Sequence, residues 1–165
     1  MSGSIVELFR CLTHGVYVIG VQDQGRYNAF TAAWLTQVSF DPLLVALSVN
    51  PKHTSWPMLK NSGGFAVNIL DHEQLHLAAH FGNPSTEIDK LQALPWKNSP
   101  GGFPILDEAL AWLECRYRHE CPGGDHVLIV AEVVAGQVLR SDTRPLTYRD
   151  TGDLDGSRRL YPEAF

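Results

Sequence analysis

Apolar residues at positions 5, 6, 8, 9 and 12 share one helical face, and Ser4 with Glu7 three residues on reads as a cap, so the spacing predicts a helix over 5–12 that Gly15 ends. Residues 16–21 are then β-branched and aromatic, a polar Gly-containing stretch follows, and 27–34 is apolar again, the pattern of a hairpin. The Asp41–Pro42 break separates strands at 37–40 and 43–49, and the second is so continuously apolar that it is expected to be buried on both faces. A loop over 50–57 leads into a short helix reaching Lys60, with Thr54 or Ser55 as cap, Pro57 in its first turn and Gly63–Gly64 as its stop. A strand at 65–70 precedes a helix at 72–81 that Asp71 caps and Gly82 ends. Residues 83–107 are irregular, rich in proline and glycine, with a short helical candidate at 86–91. Strands at 109–118, 126–139 and 145–149 follow, and the charged tail 150–165 has no assigned role.

Strands dominate and follow one another without the regular strand-helix alternation of a parallel sheet, so the expected class is mainly β: a closed antiparallel barrel with peripheral helices. At 165 residues the chain makes one domain, 1–165, large enough for a core without metal or disulfide staples. The formal charge of −5 argues against nucleic acid as a partner, yet it leaves room for a small anion held by a local cluster of donors. Three cysteines, Cys11, Cys115 and Cys121, match no zinc or haem spacing and read as reduced thiols. The start lacks the basic and long apolar regions of a secretory signal, and the apolar run at 127–136 is interrupted by Glu132, so a soluble cytoplasmic protein away from membranes is expected.

Chemistry concentrates in four places. Ser48, Val49, Asn50, Lys52, His53, Thr54 and Ser55 run from a buried strand into a helix start, where free N–H groups, hydroxyls and two basic side chains suit a phosphate; the same residues also read as a cap and a solvated loop cation. Asn28, Thr31, Ala32, Ala33 and Trp34 put small side chains beside an aromatic, which lets the backbone approach a planar ligand or serves ordinary barrel packing. His72, His76 and His80 recur every four residues on one expected helix, a spacing open to a metal but read here as a solvated face, with no metal site assigned. His126 follows Gly123-Gly124-Asp125, a turn that would set it at a strand start by a pocket mouth. Neither GxGxxG nor GxxxxGK[ST] occurs, so the usual nucleotide cradles are missing.

In order, Gly15-Val16-Tyr17-Val18, the run Phe30-Thr31-Ala32-Ala33-Trp34 through Asp41-Pro42, Phe65-Ala66-Val67-Asn68, Leu77-Ala78-Ala79-His80-Phe81-Gly82, Leu113-Glu114-Cys115 and Gly124-Asp125-His126 resemble the flavin reductase-like family of FMN-binding split barrels. The resemblance implies a six-stranded antiparallel Greek-key barrel, a homodimer, and one flavin per subunit, FMN or FAD. It places the ring against Thr31, Ala32, Ala33 and Trp34, the ribityl chain along Ser48, Val49 and Asn50, and the phosphate at Lys52, His53, Thr54 and Ser55. Asn28 and Phe81 join the cofactor set, and His126 faces the flavin or the nicotinamide.

The expected activity is hydride transfer from NADH or NADPH to flavin, with electrons passing on to an oxygenase or a ferric acceptor. Such chemistry needs stacked rings and backbone donors, not a side-chain nucleophile. The alternative from the same fold is a flavin carrier or electron-transfer protein without turnover.

Overall fold

A computed structural model describes residues 4–84 and 89–164. Half of the helical candidate at 86–91, residues 86–88, therefore lies outside the described residues, and residues 89–91 form no helix. The first helix, α1, is Ile5–Phe9, with the Ser4 hydroxyl accepting from the Glu7 N–H as the pattern predicted, although regular helix ends before position 12. Strands β1 (Tyr17–Asp23) and β2 (Arg26–Ala32) form the expected hairpin. Its two-residue turn holds Gln24 at φ 50° and Gly25 at φ 80°, the positive-φ pair that matches the twist of a tight hairpin.

Strands β3 (Leu35–Phe40) and β4 (Leu43–Val49) pair antiparallel, and helix α2 (Trp56–Asn61) and strand β5 (Gly64–Ile69) follow. Helix α3 is Leu75–Gly82. The segment expected to be irregular contains a small hairpin, β6 (Trp96–Asn98) and β7 (Pro104–Leu106). Long strands β8 (Ala111–Gly123) and β9 (His126–Val138) complete an antiparallel sheet of seven strands in the order β2-β1-β5-β8-β9-β4-β3.

The main core collects fully buried side chains from six of those strands: Ile19, Val21, Phe30, Val45, Leu47, Phe65, Val67, Cys115 and Ile129 are among them, whereas β3 contributes only the partly buried Leu35. Leu59 of α2 joins this core, and burying each such side chain stabilises the fold by roughly 1.5–3 kcal/mol. A second core packs α3, through Leu77, Ala78 and Phe81, onto the other face of the β1–β2 hairpin at Val18 and Ala29. β1 is thus covered on both sides, and so is β5, whose Phe65 and Val67 face the main core while Ala66 packs with Phe103 and Ile105. β4 departs from the expectation made for it, because Leu43 is exposed and Leu44 and Ser48 are only partly covered.

Two further departures matter for the site. Residues 145–149 are not a strand; they make isolated bridges to Gly15 and Asp71, and then the Thr147 hydroxyl and N–H both donate to Asp150, which turns Tyr148–Thr151 into a 3-10 helix. The helix expected from 72 starts at Leu75, since Asp71 spends its carboxylate on the Glu73 N–H of a tight turn. His72 lies in that turn, bonded to Thr143 rather than aligned with His76, so the stripe of three histidines does not form.

Candidate functional site

The end strands of the sheet, β2 and β3, are joined through Ala33 and Trp34 alone, and this short crossing leaves a groove open beside it. The Trp34 carbonyl accepts from the Ser48 N–H at 2.9 Å, fixing the crossing against the end of β4. The groove has two adjoining lobes of about 520 and 300 Å³, within the range of small-molecule sites. Both lobes share Thr31, Ala32, Ala33, His53, Tyr148 and Asp155 as walls.

The smaller lobe adds Trp34, Ser48, Val49, Asn50 and His126, and the larger adds Ala78, Ala79 and the turn after α3. Small side chains at 31–33 leave backbone edges accessible, and Thr31 is held in place by its hydroxyl, which donates to the Ala78 carbonyl at 2.8 Å. Planar apolar surface with a few fixed polar groups is what a flavin ring requires, so the residues present fit that cofactor.

His126 opens β9 directly after the Gly124–Asp125 turn, where Gly124 takes φ 75°. Its ring tilts against Trp34 with centroids 4.9 Å apart. Its Nδ1 meets the Asp125 carboxylate at 2.7 Å, and that contact holds Asp125 below the usual carboxylate range. His53 lies against Phe30 at 4.7 Å, and its Nδ1 accepts from the Ser55 N–H at 3.2 Å. Burial pushes the His53 imidazole below its ordinary value, and the Lys90 ammonium pushes in the same direction.

The structure brings together Thr31, Ala32, Ala33, Trp34, Ser48, Val49, Asn50, His53 and His126 from the expected set. Asn28, Lys52, Thr54, Ser55 and Phe81 stand outside the two lobes. Asn28 and Ser55 form a brace behind the wall, Asn28 Nδ2 donating to Ser55 Oγ at 3.1 Å, so the Ser55 hydroxyl is directed away from the N-terminus of α2 and makes no cap. Lys52 is exposed, with its N–H donating to Asn50 Oδ1, and Phe81 belongs to the second core.

Sequence reasoning missed the tail. Tyr148 and Asp155 line both lobes, and Ser157 and Leu160 line the smaller. The Tyr148 hydroxyl donates to Asp155 at 2.8 Å and lies 2.7 Å from the Ser157 hydroxyl, and burial pushes this phenol up to about 12. The tail is tied to α1: Arg10 donates to the Gly152 carbonyl, Arg158 approaches Glu7, and the rings of Phe9 and Tyr161 are 5.4 Å apart. The one sequence signal for this was the Thr147-x-x-Asp150 capping pattern.

A family model described as the flavin reductase like domain matches residues 9–155. The chain is 32% identical over 136 residues to a flavin reductase of Pseudomonas putida, covering 82% of this chain and 79% of that protein. It is 30% identical over 148 residues to a ferric-chelate reductase (NAD(P)H) of Archaeoglobus fulgidus, covering 88% and 87%. Among solved structures it resembles component B of a nitrilotriacetate monooxygenase from Mycobacterium thermoresistibile, with TM-score 0.79, 33% identity and coverage of 87% and 80%. On the match of the family model across most of its length, the chain belongs to the flavin reductase like domain family.

Proposed function

We propose that the protein is an NAD(P)H-dependent flavin reductase that uses FMN. The observation that carries this reading is the shared wall of Thr31, Ala32, Ala33 and His53 between two adjoining lobes, because a reductase of one domain must bring two planar rings together in a single groove. When bound, the flavin supplies a ring that accepts a hydride from the nicotinamide and passes electrons on. The chain's own part is to bind and orient. The backbone at 31–33 would face the ring, Trp34 and His126 would form an aromatic edge over it, and the tail at Tyr148 and Asp155 would shield the groove from water. Ser48, Val49 and Asn50 would flank the ribityl chain, Lys52, Thr54 and the Asn28-braced Ser55 would form the phosphate end, and Phe81 would support the wall from behind.

The reading extends to the assembly. That six strands feed the main core supports reading them as a split Greek-key barrel, with β3 as an added edge. Phe40, 89% exposed, together with Val38, Leu43, Val134 and Val138, gives the β3-β4-β9 side an apolar surface suited to a second copy in a homodimer. Similarity to a monooxygenase component and to a ferric-chelate reductase supports an oxygenase or a ferric chelate as electron acceptor. No helix among the described residues is long and apolar enough to cross a membrane, and the three cysteines are unpaired, which supports a cytoplasmic setting.

An absorbance spectrum of the purified protein with FMN, taken before and after anaerobic NADH or NADPH, tests the activity. Bleaching of the flavin bands by either nicotinamide is expected. A protein that binds flavin but is bleached by neither is a carrier, and one that binds no flavin overturns the reading.

A further inference from the structure

Two histidines line the groove, and their hydrogen bonds set their protons differently. His126 Nδ1 faces a carboxylate, which can only accept, so that nitrogen carries a proton. His53 Nδ1 faces the backbone N–H of Ser55, which can only donate, so that nitrogen carries none. The proton of His53 is therefore on Nε2, and the imidazole is neutral. Among the described residues no partner takes the Nε2 hydrogen bond, and the ring it belongs to is a wall of both lobes.

The geometry points to His53 as a neutral hydrogen-bond donor to the polar edge of the flavin ring, a role distinct from holding the phosphate. This inference rests on the flavin reading above. A donor of fixed tautomer beside the ring stabilises the negative charge that gathers at the N1 and C2 carbonyl edge on reduction, without needing to titrate.

The surroundings keep it neutral. Phe30 covers one face, and Lys90 is 5% exposed, with its ammonium donating to the Phe81 carbonyl at 3.2 Å at the end of α3, beside the turn that lines the larger lobe. Lys90 lowers the affinity of His53 for a second proton, after burial. The other titratable groups facing the shared groove are Tyr148 and Asp155 from the tail and His126 from β9, with Lys52 next to His53 in its own loop. Lys90 and Ser55 are positioning residues for His53.

The test compares wild type, His53→Gln and His53→Leu in the full chain, each titrated with FMN and with riboflavin, which lacks the phosphate. Expected for His53→Leu is a loss of about tenfold in affinity for both flavins, the size of one hydrogen bond, and a shift of the bound flavin's midpoint potential to more negative values. His53→Gln, which keeps a neutral N–H donor, restores most of both. Loss confined to FMN makes His53 a phosphate ligand and overturns the inference, as does an unchanged potential. Nitrogen-15 NMR of the flavin-free protein checks the tautomer directly: a protonated Nε2 and a bare Nδ1 are expected, and the reverse overturns it. In Lys90→Met the His53 titration should move to higher pH, and an unmoved titration removes Lys90 from the arrangement. If wild type binds neither flavin, the flavin reading itself falls and this role with it, whatever the tautomer.

Discussion

His126 reaches the groove from the first position of β9, where a two-residue turn and the tilted contact with Trp34 fix its direction. Its place at the mouth of the smaller lobe predicts a kinetic role more than a binding one. His126→Ala should slow reduction by nicotinamide at least about tenfold while the Kd for FMN changes by less than about threefold, measured by anaerobic stopped flow against fluorescence titration. Equal losses in both would make it a flavin ligand. A second residue carries structure in place of chemistry. Asn68 is fully buried in β5, its Nδ2 donates to the carbonyls of Val18 and Pro104, and its Oδ1 accepts from the Leu106 N–H, so one side chain pins β7 to the sheet. On β1, two residues beyond the Val18 that pairs with it, a Cβ on Gly20 would collide with the Pro104 carbonyl, so the strand and hairpin approach backbone to backbone. Asn68→Ala leaves three backbone groups unanswered and should cost about 3 kcal/mol in urea unfolding, and Gly20→Val should be no milder. The role of Asn68 was not legible in the sequence, because its partners come from two distant segments and an asparagine in an apolar strand looks merely out of place.

At the scale of elements, what could be read from the chain was whatever is set by neighbours along it. The β1–β2 hairpin follows from a β-branched and aromatic run and a Gln24–Gly25 turn, and the Gly124–Asp125 turn before β9 from its own residues, although β8 runs on to Gly123 through a polar stretch, past the end expected at 118. The groove wall at 31–33 and the end of β4 could be singled out for the same reason, being strand ends with small or polar side chains. The tail was not. Its 3-10 segments, Tyr148–Thr151 and Ser157–Leu160, have no periodicity of their own and take their shape from contacts with α1 and from the Tyr148, Asp155 and Ser157 hydrogen bonds. Such a segment, held by a few exposed polar ties, opens at far lower free energy than the sheet. Removing residues 153–165 takes away the Asp155, Ser157 and Leu160 part of the wall while leaving the bridges of Pro145 and Thr147 in place. The truncated protein should release FMN about tenfold faster with little change in thermal midpoint, as followed by stopped-flow fluorescence. An unchanged release rate would show that the tail does not close the groove.

Across the whole molecule folding moves Asp71 below and Cys115 and Tyr148 above their ordinary ranges, away from neutral pH, whereas burial lowers the Lys90 ammonium. Asp71 is held below the usual carboxylate range, first by the Glu73 N–H and then by Thr143, so the stability it contributes is present above the ordinary carboxylate pKa of 3.8 and is lost as pH falls through its lowered value. At the other end, Cys115 lies in the main core facing the sheet interior, and burial pushes its thiol from the ordinary 9.0 up to about 12. Tyr148 is pushed from 10.0 up to about 12 by the same cause. Between pH 9 and about 12 the unfolded chain sheds the Cys115 proton while the folded chain keeps it, so the folded state is stabilised fully below pH 9 and loses that contribution as pH rises through about 12. Urea midpoints should therefore rise as pH passes the ordinary histidine value of 6.5, where the unfolded chain binds a proton that folded His53 does not, then level off and fall steadily above 9. Cys115→Ala separates this cause from general charge repulsion. The variant loses about 1 kcal/mol on the plateau through the small void left beside Phe65 and Ile129, but its midpoints should decline more gently in alkali than those of the wild type. If the two slopes are parallel, the buried thiol is not what limits alkaline stability, and the decline belongs to Tyr148 and the other phenols, which Tyr148→Phe would then flatten.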